Sequence, residues 1–114
     1  MHRYTISTIL LVLVLALAVP SVGHSVMPSE RATMIFVDDM HCGKCAKKIA
    51  RKLYTVPGVV TVYADVENNV AMIEPQESND PSPRALWEAV QSAGDYQPIK
   101  LAGPSGTFTS KPTL

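Results

Sequence analysis

The sequence predicts an α+β fold in the order strand, helix, strand, strand, helix, strand. Two observations carry that prediction. Two stretches repeat apolar residues at i, i+3, i+4 and i+7, and four short β-prone runs flank them. Residues 32–37 bring Met34, Ile35, Phe36 and Val37 together as a buried strand that ends at Asp38-Asp39. Ala46, Ile49, Ala50 and Leu53 then form one helical stripe, with Lys47, Lys48, Arg51 and Lys52 mostly off it. Pro57-Gly58 stops that helix.

In residues 59–66, Val60, Val62, Ala64 and Val66 alternate with Thr61, Tyr63 and Asp65. Residues 70–73 are a second short apolar run, and Glu67-Asn68-Asn69 between them reads as a hairpin connection, which makes the pair antiparallel. After a polar loop, Ser82 is placed to cap a helix with Pro83 in its first turn, where a missing N–H costs nothing. Leu86, Ala89, Val90 and Ala93 supply the second stripe and Gly94 closes it. Residues 96–101 read as a last strand, confined to a sheet edge by Pro98. Residues 102–114 hold Gly, Pro, Ser and Thr with little to bury, so a flexible tail is expected. The order is the split-βαβ, ferredoxin-like βαββαβ pattern, with two helices on one face of a four-stranded antiparallel sheet. Such a fold hosts many functions and names none.

The N-terminal residues stand apart from this domain. His2 and Arg3 precede an unbroken apolar run from Ile9 to Val19, then Pro20, Ser21 and Gly23. Basic start, apolar run and small-residue exit read as a secretory signal peptide over residues 1–23. A retained membrane anchor is the competing reading, although the run is shorter than the roughly 20 residues of a spanning helix. Either way the chain is expected to be exported, periplasmic or secreted, with membrane contact only if this segment stays. Residues 24–31 are then a linker and residues 32–101 the folded domain. Ten basic and ten acidic side chains balance in the 114 residues, which excludes the strongly basic character of a nucleic-acid binder.

The chemistry concentrates in Met40-His41-Cys42-Gly43-Lys44-Cys45. The chain has two cysteines, both in this C-x-x-C, so a disulfide between them would close a tiny loop and constrain little. Two thiolates converge on one ion if the first sits in a loop and the second opens a helix, which is their expected placement. Sulfur ligands select copper(I), zinc or similar thiophilic ions over hard cations. Structural zinc sites close with four ligands, so a two-thiolate site is open and suited to exchange. The helix N-terminus favours the thiolates, and Lys44, Lys47 and Lys48 add positive charge, unless those lysines are simply the helix's solvated face.

Met40-x-Cys42-x-x-Cys45 after a strand and opening a helix, with Pro57-Gly58-Val59 beyond, resembles the heavy-metal-associated domain of copper chaperones, copper-pumping ATPases and the periplasmic mercury-binding protein. The resemblance covers about residues 32–101. It implies metal binding by Cys42 and Cys45, with copper(I) first and mercury(II), zinc or cadmium as alternatives. It also implies transfer by ligand exchange with another such domain or a metal transporter. Met40 is then a packing residue. The family's typical glycine before that methionine is Asp39 here. Tyr96 falls where the family often has an aromatic or a lysine near the metal; shielding the sulfurs and ordinary strand packing are both open to it. His41 reads as a ligand or as an exposed side chain. His24, if it became the first residue after cleavage, could chelate copper(II).

Two rivals remain. An exported thiol–disulfide oxidoreductase shares C-x-x-C at a strand-to-helix turn, and Thr55-Val56-Pro57 resembles the proline segment of glutaredoxins. Pro57 follows Cys45 too closely for that, and no aromatic precedes Cys42. A non-metal interaction module with an oxidised or inert pair is the second rival. Adjacent Asp38 and Asp39 point apart at a strand end and make no acid–base pair. No nucleophile constellation or phosphate-binding loop is visible, so a carrier and not an enzyme is expected.

Overall fold

The computed structural model describes residues 29–114. The expected signal or anchor segment, most of the linker and His24 lie outside the described residues. The order is β1 (Thr33–Val37), α1 (Gly43–Tyr54), β2 (Val59–Asp65), β3 (Val70–Pro75), α2 (Pro83–Ser92), β4 (Pro98–Gly103) and β5 (Gly106–Phe108). The strands form one antiparallel sheet in the order β2-β3-β1-β4-β5.

The core lies where the two helical stripes meet one sheet face. Ile35 and Val37 of β1, Ala71 and Ile73 of β3 and Leu101 of β4 join Ile49 and Leu53 of α1 and Leu86, Trp87 and Val90 of α2. Burying each large aliphatic side chain stabilises the fold by about 1.5–3 kcal/mol relative to exposure. The alternating burial of β1 follows the two-residue period of a strand, with Met34 and Phe36 turned to the opposite face. Gly58 takes φ +93°, and an added Cβ there would lie 2.7 Å from the Asn79 carbonyl oxygen and 3.0 Å from the Pro81 nitrogen. The turn that ends α1 therefore requires glycine.

Two expectations for the C-terminal part are corrected. The sheet has five strands, because Pro104–Gly106 reverses the chain and pairs β5 with Leu101, Ala102 and Gly103. Pro98 consequently heads a strand that is not the sheet edge. It is tolerated because β5 does not reach it on that side. Residues 109–114 continue across the end of α2 and do not hang free. Pro112 is buried, Lys111 pairs with Glu88 at 2.8 Å, and the Leu114 carbonyl oxygen accepts bonds from Arg84 N–H and the Ser82 hydroxyl. Composition predicted a loose tail, but a few anchor points supplied by the folded domain hold it.

Candidate metal site

The loop between β1 and α1 is fixed from three sides. Asp38 Oδ1 accepts bonds from the backbone N–H of Asp39 at 2.9 Å and of Gln97 at 3.0 Å. The Asn69 side-chain oxygen accepts from Met40 N–H at 2.8 Å, while the Asn69 carbonyl accepts from Val37 N–H. Asn69 holds φ 52°, a left-handed conformation that asparagine tolerates. Met40 is fully buried in the core beneath the loop, the packing role expected of it. A hydrophobic anchor and four hydrogen bonds thus set where the cysteines emerge.

The cysteines occupy the first turn of α1 differently from expectation. The helix begins at Gly43, so Cys45 is already inside it and Cys42 is the N-cap. Cys42 is extended, with φ −150° and ψ 160°, and its sulfur accepts a bond from Cys45 N–H at 3.3 Å. The two sulfurs are free and 2.6 Å apart. Cys45 is buried at the edge of the core, whereas Cys42 is half-buried. The Cys42 thiol is held below its ordinary pKa, first by the hydrogen bond with the Cys45 side chain and then by the Cys45 backbone N–H. Cys42 thus stands in the position where helix N–H groups stabilise an anion.

Tyr96 precedes β4 and sits half-buried against the core. Gly94 allows this placement, because a Cβ there would meet the tyrosine ring at 3.0 Å. The Tyr96 phenol is pushed up to about 12, first by its hydrogen-bonding interaction with the Cys45 side chain, then by burial and by nearby negative charge. Tyr96 and Cys45 line the same hollow. His41 is exposed, and its Nδ1 lies 2.7 Å from Asp39 Oδ1. That carboxylate raises the imidazole pKa. Lys44, Lys47, Lys48 and Arg51 line one shallow surface of α1 beside the site.

Cys42 and Cys45 are therefore brought together, and they are the two soft donors able to hold an ion here. Metal–sulfur bonds of about 2.3 Å place two sulfurs well over 3 Å apart around a shared ion. The sulfurs must consequently separate as an ion enters, which the exposed side of Cys42 permits. Sequence reasoning missed Asn69 as a loop tie. Its place in a hairpin signals a turn residue, but nothing local reveals that its side chain reaches a loop 29 positions away.

The heavy-metal-associated domain family matches residues 34–95, more than half of the chain. Copper-transporting ATPase 1 of Mus musculus is 27% identical over 88 residues, which cover 75% of this chain and 6% of that protein. The chain thus spans a small part of the length of that relative. Among solved structures, the N-terminal domain of PacS from Synechocystis PCC6803 is 27% identical at a TM-score of 0.50, covering 59% of this chain and 91% of that one. The CopZ metallochaperone is 20% identical at a TM-score of 0.54, covering 60% and 98%. Oxidized MerP from Ralstonia metallidurans CH34 is 24% identical at a TM-score of 0.52, covering 59% and 90%. These last two likenesses concern the fold alone. With its motif seated at the mouth of α1 and the match running from Met34 to Asp95, the chain belongs to the heavy-metal-associated domain family.

Proposed function

We propose that this protein is an exported carrier of a soft metal ion, copper(I) first, held by Cys42 and Cys45 and passed on by ligand exchange. The observation that carries the proposal is the convergence of two free sulfurs at the N-terminus of α1, one accessible and one buried. Two thiolates satisfy copper(I) and leave its coordination open, so an incoming pair of sulfurs can attack the ion before the first pair departs. The accessible Cys42 is the sulfur exchanged first, and the buried Cys45 the one released last. Mercury(II), zinc and cadmium accept the same donors. The name of one similar protein supports copper: a copper-transporting ATPase. The partner is another domain of this family or a metal transporter. The leader-like residues 1–23 support export, and N-terminal sequencing of the mature protein tests it.

Copper(I) titration of the reduced chain against a competing chelator, beside a Cys42→Ser/Cys45→Ser control, tests the carrier reading. One tight equivalent that disappears in the control is the expected result. Binding that survives the substitutions would overturn it. The proximity of the sulfurs also favours one rival, a dithiol–disulfide couple. A thiol count on freshly isolated protein separates them, because a carrier shows two thiols that are free or metal-bound.

A further inference from the structure

The hairpin between β2 and β3 reaches the metal loop through one side chain. Strand pairing brings it there. Phe36 of β1 lies opposite Val70 of β3, and the ladder runs one step further as Val37 N–H donates to the Asn69 carbonyl at 2.9 Å. Asn69 therefore stands where β1 ends and the loop begins. Its backbone is left-handed, with φ 52°, and its side-chain oxygen accepts from Met40 N–H at 2.8 Å. The turn behind it is braced in turn: the Asp65 carboxylate accepts from Glu67 N–H at 3.1 Å, Asn68 N–H at 3.3 Å and the Asn68 side-chain amide at 2.7 Å. Met40 is thus gripped twice, two residues before Cys42, with its side chain fully buried in the core and its N–H on Asn69. The bonds between Asp38 and Gln97 hold the loop's entry, further from the sulfurs along the chain.

We propose that Asn69 is a positioning residue for the metal site: by fixing the Met40 backbone it holds Cys42 ready before an ion arrives, and so raises metal affinity. The inference rests on the thiolate reading of Cys42 and Cys45. The sulfurs start 2.6 Å apart and must part around an ion. With the Met40 backbone fixed, that parting falls to rotation of the half-buried Cys42 side chain. The loop is then ordered during folding and not at binding, which is what preorganisation contributes to affinity. A loop released from Asn69 would have to be ordered each time an ion binds. Asn69 acts through Met40 and not as a ligand. Asparagine meets two demands here, because it tolerates the left-handed backbone and its side chain ends in an acceptor. Glycine meets the first alone and aspartate meets both, so that pair of substitutions separates the turn from the tie.

The test measures copper(I) affinity of the full-length reduced chain by chelator competition, beside Met40 amide hydrogen exchange and denaturant stability. The variants are Asn69→Gly, Asn69→Asp, Ser82→Ala and Cys42→Ser/Cys45→Ser. Asn69→Gly keeps the turn backbone, so it is expected to lose Met40 amide protection and to weaken copper(I) roughly 10-fold, the lower end of losing a metal ligand's outer support. Asn69→Asp should restore both. Ser82→Ala removes the cap of α2 and should lose stability at wild-type affinity, a split that a merely structural role of Asn69 would not give. Unchanged affinity or undiminished Met40 protection in Asn69→Gly overturns the positioning role and leaves the thiolate pair intact. An equal loss of affinity in Asn69→Asp, or in Ser82→Ala, does the same. Copper(I) binding that persists in the double serine variant overturns the thiolate reading and this inference with it.

Discussion

The two helices begin with the same physical resource and use it in opposite ways. Each N-terminus presents unpaired backbone N–H groups, and neither carries an acidic side chain in its first turn. At α2, Ser82 caps Ala85 N–H, and the Leu114 carbonyl takes Arg84 N–H and the Ser82 hydroxyl. Protein groups close that end. At α1 the cap is a sulfur, and Cys42 remains half-buried with one face to solvent. The ends also lie apart: the cysteine loop follows the last residue of β1, while the α2 end is tied by Asp80 to Arg31, just before β1 begins. A helix terminus is therefore structural or chemical according to what covers it.

Substitutions that act on one terminus and spare the other test this comparison. The largest effect is expected for Cys42→Ser. Serine is a preferred N-cap, so stability should hold within about 1 kcal/mol while tight copper(I) binding is lost. A large loss of stability would show that the sulfur is needed as a cap and not for metal. Met40→Ala removes a fully buried side chain beneath the loop. A cost of about 2–5 kcal/mol is expected in chemical denaturation, together with weaker metal binding from a loosened loop.

Smaller effects belong to the closed terminus. Deleting residues 109–114 removes the Leu114 contacts and the Lys111 partner of Glu88, and should cost about 1–2 kcal/mol with metal affinity unchanged. A change in affinity would mean that the two ends communicate. Ser82→Ala should cost about 1 kcal/mol by thermal or denaturant melting. The smallest effect is a pH dependence at Glu88, whose pKa is lowered by Lys111 first and then by Arg84. A carboxyl depressed in the folded state stabilises above its unfolded value, and that contribution fades as pH falls through the folded one. Wild-type protein should therefore lose this increment in acid, whereas a Lys111→Ala variant should show a shallower loss.

The sequence alone determined the two helices, the first three strands, the hairpin and the C-x-x-C at the mouth of α1. Hydrophobic periodicity, Pro-Gly and Ser-Pro punctuation are local signals, and the chain obeys them. The proximity of Cys42 and Cys45 was legible because three residues of separation leave little freedom, whereas the packing role of Met40 was implied by the family resemblance. Tertiary structure decided the fifth strand, the docking of residues 109–114, the tie from Asn69 to Met40 and the placing of Tyr96 beside Cys45. Each depends on groups far apart in the chain, whose meeting is set by packing and hydrogen-bond satisfaction after the core has formed. Composition could describe the tail as polar, but only the folded domain offered Arg84, Ser82 and Glu88 as a place for it to bind.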